Sequence, residues 1–163
     1  MGRIRRRALA LTLALLLGAC AQPPLRPVAP GQQRSHWTGR LALRIDSDPP
    51  QSMSAGFDLQ GNADRGELSL STPLGSTLAR LLWAPGDARL LWNGQQRRFE
   101  SMDALTREAT GTELPIAGLF QWLAGEPAQV PGWLADLQEI ADGKLVAHRR
   151  TPAPPVELRL VFE

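Results

Sequence analysis

The amino-acid sequence predicts a mainly β protein: a half-open antiparallel β-barrel with one or two helices that cover or plug an apolar cavity. Apolar and polar residues alternate with a period of two over much of residues 38–99 and again over residues 156–162. Between these regions the apolar spacing becomes that of a helix. Because a long antiparallel sheet with one apolar face must curl or be covered, we expect the helical part inside the curved sheet or across its mouth.

The first three strands are predicted at residues 37–45, 51–60 and 67–71, where apolar and polar residues alternate. Such alternation gives a strand one face toward a core and one toward water. The residues on the expected inner face are Leu41, Leu43, Ile45, Met53, Ala55, Phe57, Leu59, Leu68 and Leu70.

Three further strands follow in the stretches TLARLLWA, ARLLWNG and QQRRFE. The turn Pro85-Gly86-Asp87 separates the first two, and Asn93-Gly94 is a strong hairpin signal before the third. Trp83 and Trp92 lie in these strands, and Trp122 and Trp133 lie in or after the helical region. Large aromatic residues at such positions are typical of a core, and the alternative is that some line a lipid pocket.

Two helices are predicted in the middle of the chain. The first has Ser101 as its N-cap and Gly111 as its stop signal. The second, in LPIAGLFQWLAGEP, has Pro115 in its first turn and ends at Gly125. It is apolar over most of its surface, so we expect it to be covered on several sides.

Strands return after the helices. The stretches LQEIA (residues 137–141) and KLVAHRR (residues 144–150) flank an Asp142-Gly143 turn, and VELRLVF (residues 156–162) alternates again. The predicted order is therefore about six strands, one or two helices and about three strands.

Residues 1–19 are predicted to be a signal peptide. Four arginines precede the apolar run from Ala8 to Leu17, which is too short to cross roughly 30 Å of hydrocarbon. The following LGAC resembles a bacterial lipobox, in which Cys20 receives a diacylglycerol, the signal is removed, and the new amine is acylated. By resemblance to sorting signals, Ala21 favours the outer membrane. An ordinary secretory peptide with an incidental cysteine is the alternative.

Residues 20–35 are predicted to form the lipidated cysteine and a flexible tether, because they are rich in Pro and Gln with almost no periodicity. Residues 36–163 then form the single domain. Cys20 is the only cysteine, so no disulfide framework is possible.

Removal of the signal changes the charge balance. Of the 18 Lys and Arg residues, four leave with residues 1–19, so 14 remain against 16 Asp and Glu, a formal charge of −2. Without a basic domain, nucleic acid is disfavoured as a partner.

No catalytic constellation, metal site or cofactor motif is recognisable, so we predict a protein that is not an enzyme. His36 and His148 have no Cys, Asp or Glu at metal-ligand spacing, and no nucleophile-elbow, phosphate-loop or zinc-protease motif occurs. The pairs Arg97-Arg98 and Arg149-Arg150 are typical of solvated strand ends, with contact to lipid headgroups as the alternative. An enzyme acting on cell wall or lipid would need catalytic residues scattered through the sequence.

The stretch STPLGSTL, residues 71–78, places Leu74 at the tip of an expected turn, where exposure to water gains nothing. With TGRLALRI, LPIAGLFQWLAGEP and the lipobox, this stretch resembles the LolB family of outer-membrane lipoprotein receptors. The resemblance covers most of the chain from Cys20 to Phe162.

The resemblance implies a half-open barrel whose apolar cavity takes acyl chains. It implies a protein that faces the periplasm, receives lipoproteins from the soluble carrier LolA and inserts them into the inner leaflet of the outer membrane. It also implies that the loop Pro73-Leu74-Gly75 engages the membrane through its leucine.

The apolar faces and this architecture together place eight residues near the cavity: Leu41, Leu43, Ile45, Phe57, Leu59, Leu70, Leu119 and Phe120. Expected partners are LolA, acylated lipoproteins as cargo and outer-membrane phospholipid, and a monomer is expected. Two rival readings are the soluble carrier itself, which Cys20 argues against, and a scaffolding lipoprotein whose barrel core is solid.

Overall fold

A computed structural model describes residues 35–163 of the chain. Six strands come first: β1 (His36–Ile45), β2 (Gln51–Gly61), β3 (Gly66–Ser71), β4 (Thr77–Ala84), β5 (Asp87–Trp92) and β6 (Gln95–Phe99). Two helices follow, α1 (Met102–Thr110) and α2 (Ile116–Leu123). Then come β7 (Trp133–Asp136), a 3₁₀ turn (Ile140–Asp142), β8 (Lys144–Arg149) and β9 (Val156–Phe162). This confirms the predicted order of elements.

All nine strands form one antiparallel sheet in the order β6-β5-β4-β3-β2-β1-β9-β8-β7. The first and last strands in this order do not pair with each other, so the sheet is not closed. The predicted fold class is confirmed: the protein is mainly β, with an antiparallel sheet that is not closed and two helices.

The alternation in β1 shows why this sequence forms a sheet with a single core. Leu41, Leu43 and Ile45 are buried, whereas Arg40 and Arg44 between and beside them are exposed. Leu41 lies opposite Ala55 of β2 on one side and Leu160 of β9 on the other, so apolar residues meet across three strands. Full burial of one such side chain stabilises the fold by about 1.5–3 kcal/mol.

Helix α1 begins and ends where its capping residues indicate. The Ser101 side chain accepts a hydrogen bond from the Ala104 amide at 3.1 Å, and Gly111 ends the helix with a φ of 82°. Inside the helix, Thr106 is completely buried, and its Oγ1 accepts a 3.1 Å hydrogen bond from the amide of Leu114. This bond connects α1 with the segment that leads into α2.

Helix α2 is covered on most sides, as its composition predicts. Six of its eight residues are buried, and Ala117 and Gln121 form the exposed strip. Pro115 stands at the N-cap, one position before the first helical residue. Trp122 contacts Trp133 of β7, with ring centroids 6.4 Å apart, and its Nε1 donates to the Ala128 carbonyl at 3.1 Å.

The predicted strand at residues 137–141 is wrong. The strand lies earlier, at Trp133–Asp136, where Trp133 pairs with Arg149 and Asp136 with Val146 of β8. It ends because the Asp136 carboxylate accepts a 3.0 Å hydrogen bond from the Gln138 amide, which turns the chain. Leu137 and Ile140 are half-buried at a spacing of three, which suits the 3₁₀ turn rather than a strand.

The antiparallel order sorts the connections to two ends of the sheet. Residues 46–50, 72–76, 93–94 and 150–155 connect strands at one end, which we call the Leu74 end. The start of β1 and the connections 62–65 and 85–86 lie at the other, which we call the His36 end. Within residues 35–163, neither helix has the length and apolar character required to cross a bilayer.

Candidate functional site

The loop between β3 and β4 holds Leu74 at the apex of a tight turn. The Gly75 amide donates to the Thr72 carbonyl at 2.9 Å, which closes a β-turn with Pro73 in its second position. Thr72 also receives a 3.1 Å bond at Oγ1 from the Ser76 amide, and its own amide donates to the Ser76 carbonyl at 2.8 Å. Gly75 has a φ of 85°, a conformation that favours glycine. The leucine is therefore presented by a hydrogen-bonded turn.

Leu74 is 95% exposed, and two other apolar side chains lie at the same end of the sheet. Leu78, at the register shift between β3 and β4, is 43% exposed, and Trp92, opposite Ala79 at the end of β5, is 44% exposed. Residues 71–79 and 92–96 include no charged side chain. This end of β3, β4 and β5 is thus an uncharged apex with three exposed apolar residues.

The sequence prediction for the tryptophans is right for three and wrong for one. Trp83, Trp122 and Trp133 are core residues, whereas Trp92 is half-exposed. Trp92 lies opposite an inward-facing residue, but it is the last residue of its strand, where no further layer covers it. The alternation indicates its face of the sheet and carries no information on how far the core extends.

The eight residues expected near a cavity all lie in one continuous core, and each is less than a tenth exposed. Phe120 of α2 joins the helix to the sheet: its ring is 5.7 Å from the Trp37 ring and 6.2 Å from the Trp83 ring, both in edge-on geometry. Trp37 is absent from the predicted set. It has the same parity as Leu41 and Leu43 in β1, which is the signal that could have identified it.

One pocket reaches toward these residues from the His36 end. It has a volume of about 280 Å³, at the lower edge of the roughly 300–1,000 Å³ typical of ligand sites. Of the eight residues, only Phe120 lines it. The other lining residues are Ser35, Trp37, Gly61, Asn62, Gln121, Ala124 and Glu126. The side chains of α2 occupy the space between helix and sheet, and the acyl-chain cavity stays a prediction.

Two ion pairs lie on the outer face of the sheet and shift the pKa values of their carboxylates. Arg80 Nε donates to Glu67 Oε1 at 2.6 Å, which lowers the pKa of Glu67, although partial burial acts in the opposite direction. In the same way, the 2.6 Å bond from Arg159 lowers the pKa of Glu157.

The histidines lie among carboxylates on the surface. His36 Nε2 is 3.0 Å from Asp58 Oδ1, and His148 Nδ1 is 3.7 Å from Glu157 Oε2. Across residues 35–163, no three His, Cys, Asp or Glu side chains are grouped so that they could hold a metal ion. The predictions about residues 1–19, Cys20 and the tether up to residue 34 lie outside the described residues.

Comparison with known proteins gives a consistent result. A profile of the family described as "Outer membrane lipoprotein LolB" matches residues 34–150. Proteins named outer-membrane lipoprotein LolB are similar over most of the chain. The one from Chromobacterium violaceum is 34% identical, with 86% of this chain and 77% of the relative covered. The one from Bordetella petrii is 32% identical, with 93% of this chain and 89% of the relative covered. The one from Thiobacillus denitrificans is 34% identical, with 98% of this chain and 97% of the relative covered.

Proposed function

This chain belongs to the outer membrane lipoprotein LolB family, and on that basis we propose that it receives lipoproteins from the periplasmic carrier LolA and inserts them into the inner leaflet of the outer membrane. It acts there as a lipid-anchored protein that faces the periplasm, attached through Cys20. It works as a monomer and without enzymatic turnover, since transfer needs a difference in affinity for acyl chains rather than a chemical step.

The exposure of Leu74 is the observation that carries this proposal. An isolated exposed apolar residue is ordinary on a protein surface. Here the residue is 95% exposed at the apex of a turn that Thr72, Pro73 and Gly75 hold in place. Insertion of one leucine into lipid contributes about 1.5–3 kcal/mol. That is small beside a lipid anchor, but sufficient to bias which end of the domain meets the bilayer.

The acyl chains of the cargo explain why a receptor is required. Each buried methylene contributes about 0.8 kcal/mol, so a chain of roughly 16 carbons is held by more than 10 kcal/mol. A lipoprotein with two or three such chains leaves a carrier only when another apolar environment is offered.

We propose that acyl chains displace α2 from the inner face of the sheet. Leu119 and Phe120 of this helix lie against the inner face of the sheet, and the edge-on contacts of Phe120 with Trp37 and Trp83 are apolar. An acyl chain can replace these contacts with others of the same kind. The free-energy difference between the protein with α2 in the interior and the protein with acyl chains there is therefore small. The 280 Å³ pocket beside Phe120 is the natural point of entry.

The anchor and Leu74 can reach the same bilayer. The chain enters the domain at the His36 end, and Leu74 lies at the opposite end. A stretch of 16 residues, from 20 to 35, has a fully extended length of about 50 Å. The ten-residue strand β1 is about 33 Å long. The segment is therefore long enough to let the Leu74 end turn toward the membrane.

A transfer assay tests the proposal. LolA loaded with a lipoprotein is offered to the mature chain, in the presence and absence of liposomes, with Leu74 unchanged or replaced by Glu. We expect Leu74→Glu to accept cargo normally and to deliver it to liposomes at least about tenfold more slowly. Val161→Glu is the matched control, because Val161 is 57% exposed on β9 and lies opposite Arg40 and Lys144, toward the His36 end of the sheet. Equal delivery by both variants would contradict the proposed role of Leu74.

A second candidate function is favoured by the filled interior. If the core stays solid, the protein is a scaffolding lipoprotein that takes no ligand. Titration with a fluorescent fatty acid separates the two candidates: saturable binding that unlabelled acyl chains reverse supports the receptor, and absence of binding by folded protein supports the scaffold.

A further inference from the structure

A second, smaller opening into the core lies at the Leu74 end of the sheet. Its volume is about 60 Å³, roughly the space that two water molecules occupy in the liquid. It reaches three buried residues, Leu43, Ile45 and Thr110, and its other lining residues are Gln51, Ser52 and Met53. Leu43 and Ile45 belong to the inner face of β1, so this opening leads into the same core as the 280 Å³ pocket at the His36 end.

The residues that line this opening place no charge in the way of an apolar chain. Met53 of β2 is half-buried and lies opposite Leu43, and an unbranched methionine side chain adapts easily to a new neighbour. Thr110 Oγ1 lies 2.9 Å from the Thr106 carbonyl oxygen and 3.0 Å from that of Thr112, so its hydrogen bonding is satisfied inside the protein. None of the six lining residues is an acid or a base. An acyl chain can therefore pass here without separating an ion pair.

Strand β1 and helix α2 connect the two openings. Trp37, at the start of β1, lines the 280 Å³ pocket, and Ile45, at its end, lines the small opening. Helix α2 follows the C-cap of α1, where a methyl group on Gly111 would lie 3.3 Å from Ile45 Cδ1, and it is followed by Ala124, which lines the 280 Å³ pocket. Displacement of α2 therefore exposes a continuous apolar wall from one end of the sheet to the other.

The two ends are too far apart for one acyl chain to contact both. Trp37 and Ile45 are eight positions apart on β1, which corresponds to roughly 26 Å along the strand. An acyl chain spans one half of a hydrocarbon layer about 30 Å thick, or roughly 15 Å. A chain that has entered beside Phe120 must therefore move along β1 before it reaches the Leu74 end.

We propose that the acyl chains of the cargo enter at the His36 end and leave through the opening at Met53, at the Leu74 end. This inference rests on the proposed function, because it takes the pocket beside Phe120 as the entry and the Leu74 end as the end that meets the membrane. Release through the entry pocket would expose each chain to water along the length of the domain. Release beside Met53 delivers it directly into the lipid that Leu74 has entered.

The open sheet allows this movement although the cargo is a protein. Strands β6 and β7, the two edges of the sheet, do not pair with each other. In a closed barrel, the polypeptide attached to the acyl chains would have to be threaded through the interior. With one side of the sheet open, the polypeptide stays outside while its acyl chains move along β1.

Blocking each opening with a bulky group tests the proposal. Cys20 is the only cysteine, so Cys20→Ser in the mature chain leaves no thiol, and one introduced cysteine can be labelled selectively with a maleimide that carries a large polar group. Met53→Cys places the label at the proposed exit. Gln121→Cys places it at the entry pocket, which Gln121 lines from the exposed strip of α2. Ser54→Cys is the matched control, since Ser54 is an exposed neighbour of Met53 in β2.

The order of loading and labelling separates entry from exit. Each variant is loaded with a lipoprotein by LolA, freed of LolA, labelled, and then mixed with liposomes. We expect the label at position 53 to slow delivery at least about tenfold relative to the same variant without label, and the labels at positions 121 and 54 to change it less than about twofold. When labelling comes before loading, the label at position 121 should reduce acceptance at least about tenfold more than the label at position 53.

Two results would overturn the proposal. Delivery that is unaffected by the label at position 53 would mean that the chains do not pass Met53. Delivery that is blocked from position 121 after loading would mean that the chains leave where they entered, with the His36 end turned to the membrane. If Met53→Cys does not fold, Gln51→Cys carries the test, because Gln51 is exposed and lines the same opening. Unlabelled protein that accepts no cargo would contradict the proposed function itself, which distinguishes the two failures.

Discussion

The Phe120 ring packs edge-on against the Trp37 ring, with centroids 5.7 Å apart and planes at 65°. This contact joins the middle of α2 to the second residue of β1, across more than eighty positions of sequence. It is an apolar contact in a helix whose buried residues have no polar anchor to the sheet among the described hydrogen bonds. Apolar packing therefore holds the helix on the sheet, and an acyl chain can form apolar contacts of the same kind.

Phe120→Ala should loosen α2 and destabilise the domain. Loss of a buried phenylalanine with its cavity costs about 3–5 kcal/mol, and we expect the lower part of this range because Phe120 borders the 280 Å³ pocket. Phe120→Leu, which keeps most of the apolar volume, should cost about 1.5 kcal/mol or less. Urea unfolding measures both. Equal costs for the two variants would mean that the retained apolar volume does not stabilise the fold and that the loss comes from the aromatic contacts with Trp37 and Trp83.

Trp92→Ser should weaken membrane contact without weakening the fold. The side chain is 44% exposed beside the Leu74 turn, and tryptophan favours the interfacial region of a bilayer. We expect a decrease in vesicle affinity of about fivefold and a change in unfolding free energy of about 1 kcal/mol or less. Flotation measures the first and urea unfolding the second. A large loss of stability with unchanged flotation would show that Trp92 belongs to the core after all.

Thr106→Val should be costly although the two side chains have nearly the same shape. The Thr106 hydroxyl is completely buried and accepts from the Leu114 amide, so valine leaves that amide without an acceptor. The expected loss of stability is about 1–3 kcal/mol. Thr106→Ser keeps the hydroxyl and removes one methyl group, so it should cost less. Chemical denaturation compares them, and a serine variant less stable than the valine variant would refute the role of the hydrogen bond.

Low pH should remove the contribution of the Glu67–Arg80 ion pair to the stability of the fold. Because the pKa of Glu67 is lowered in the folded protein, its contribution is present above the ordinary carboxyl value of 4.5 and is lost as the pH falls through the lowered value. Glu67→Gln should therefore be less stable than the unchanged protein at neutral pH and equally stable at a pH well below 4.5. Unfolding curves at both pH values measure this difference. A difference that does not vary with pH would exclude the ion pair as its source.

Much of the fold can be predicted from the sequence because it depends on local patterns. The parity of Leu41, Leu43 and Ile45 sets the inner face of β1, and Ser101 and Gly111 bound α1 through capping geometry that involves only neighbouring residues. The turn that presents Leu74 is equally local, since hydrogen bonds within residues 72–76 close it.

The remaining features depend on which distant elements meet. Residues 133–136 form a strand because β8 offers them a partner, and Trp92 is exposed because the core ends one layer before it. The sequence predicts that Arg149 is an ordinary, solvated strand-end arginine. In the structure it is buried beside Trp133. Short-range periodicity determines which face of an element is apolar. How deeply each side chain is buried, and whether its charge finds a partner, is decided by packing between elements that are far apart in the chain.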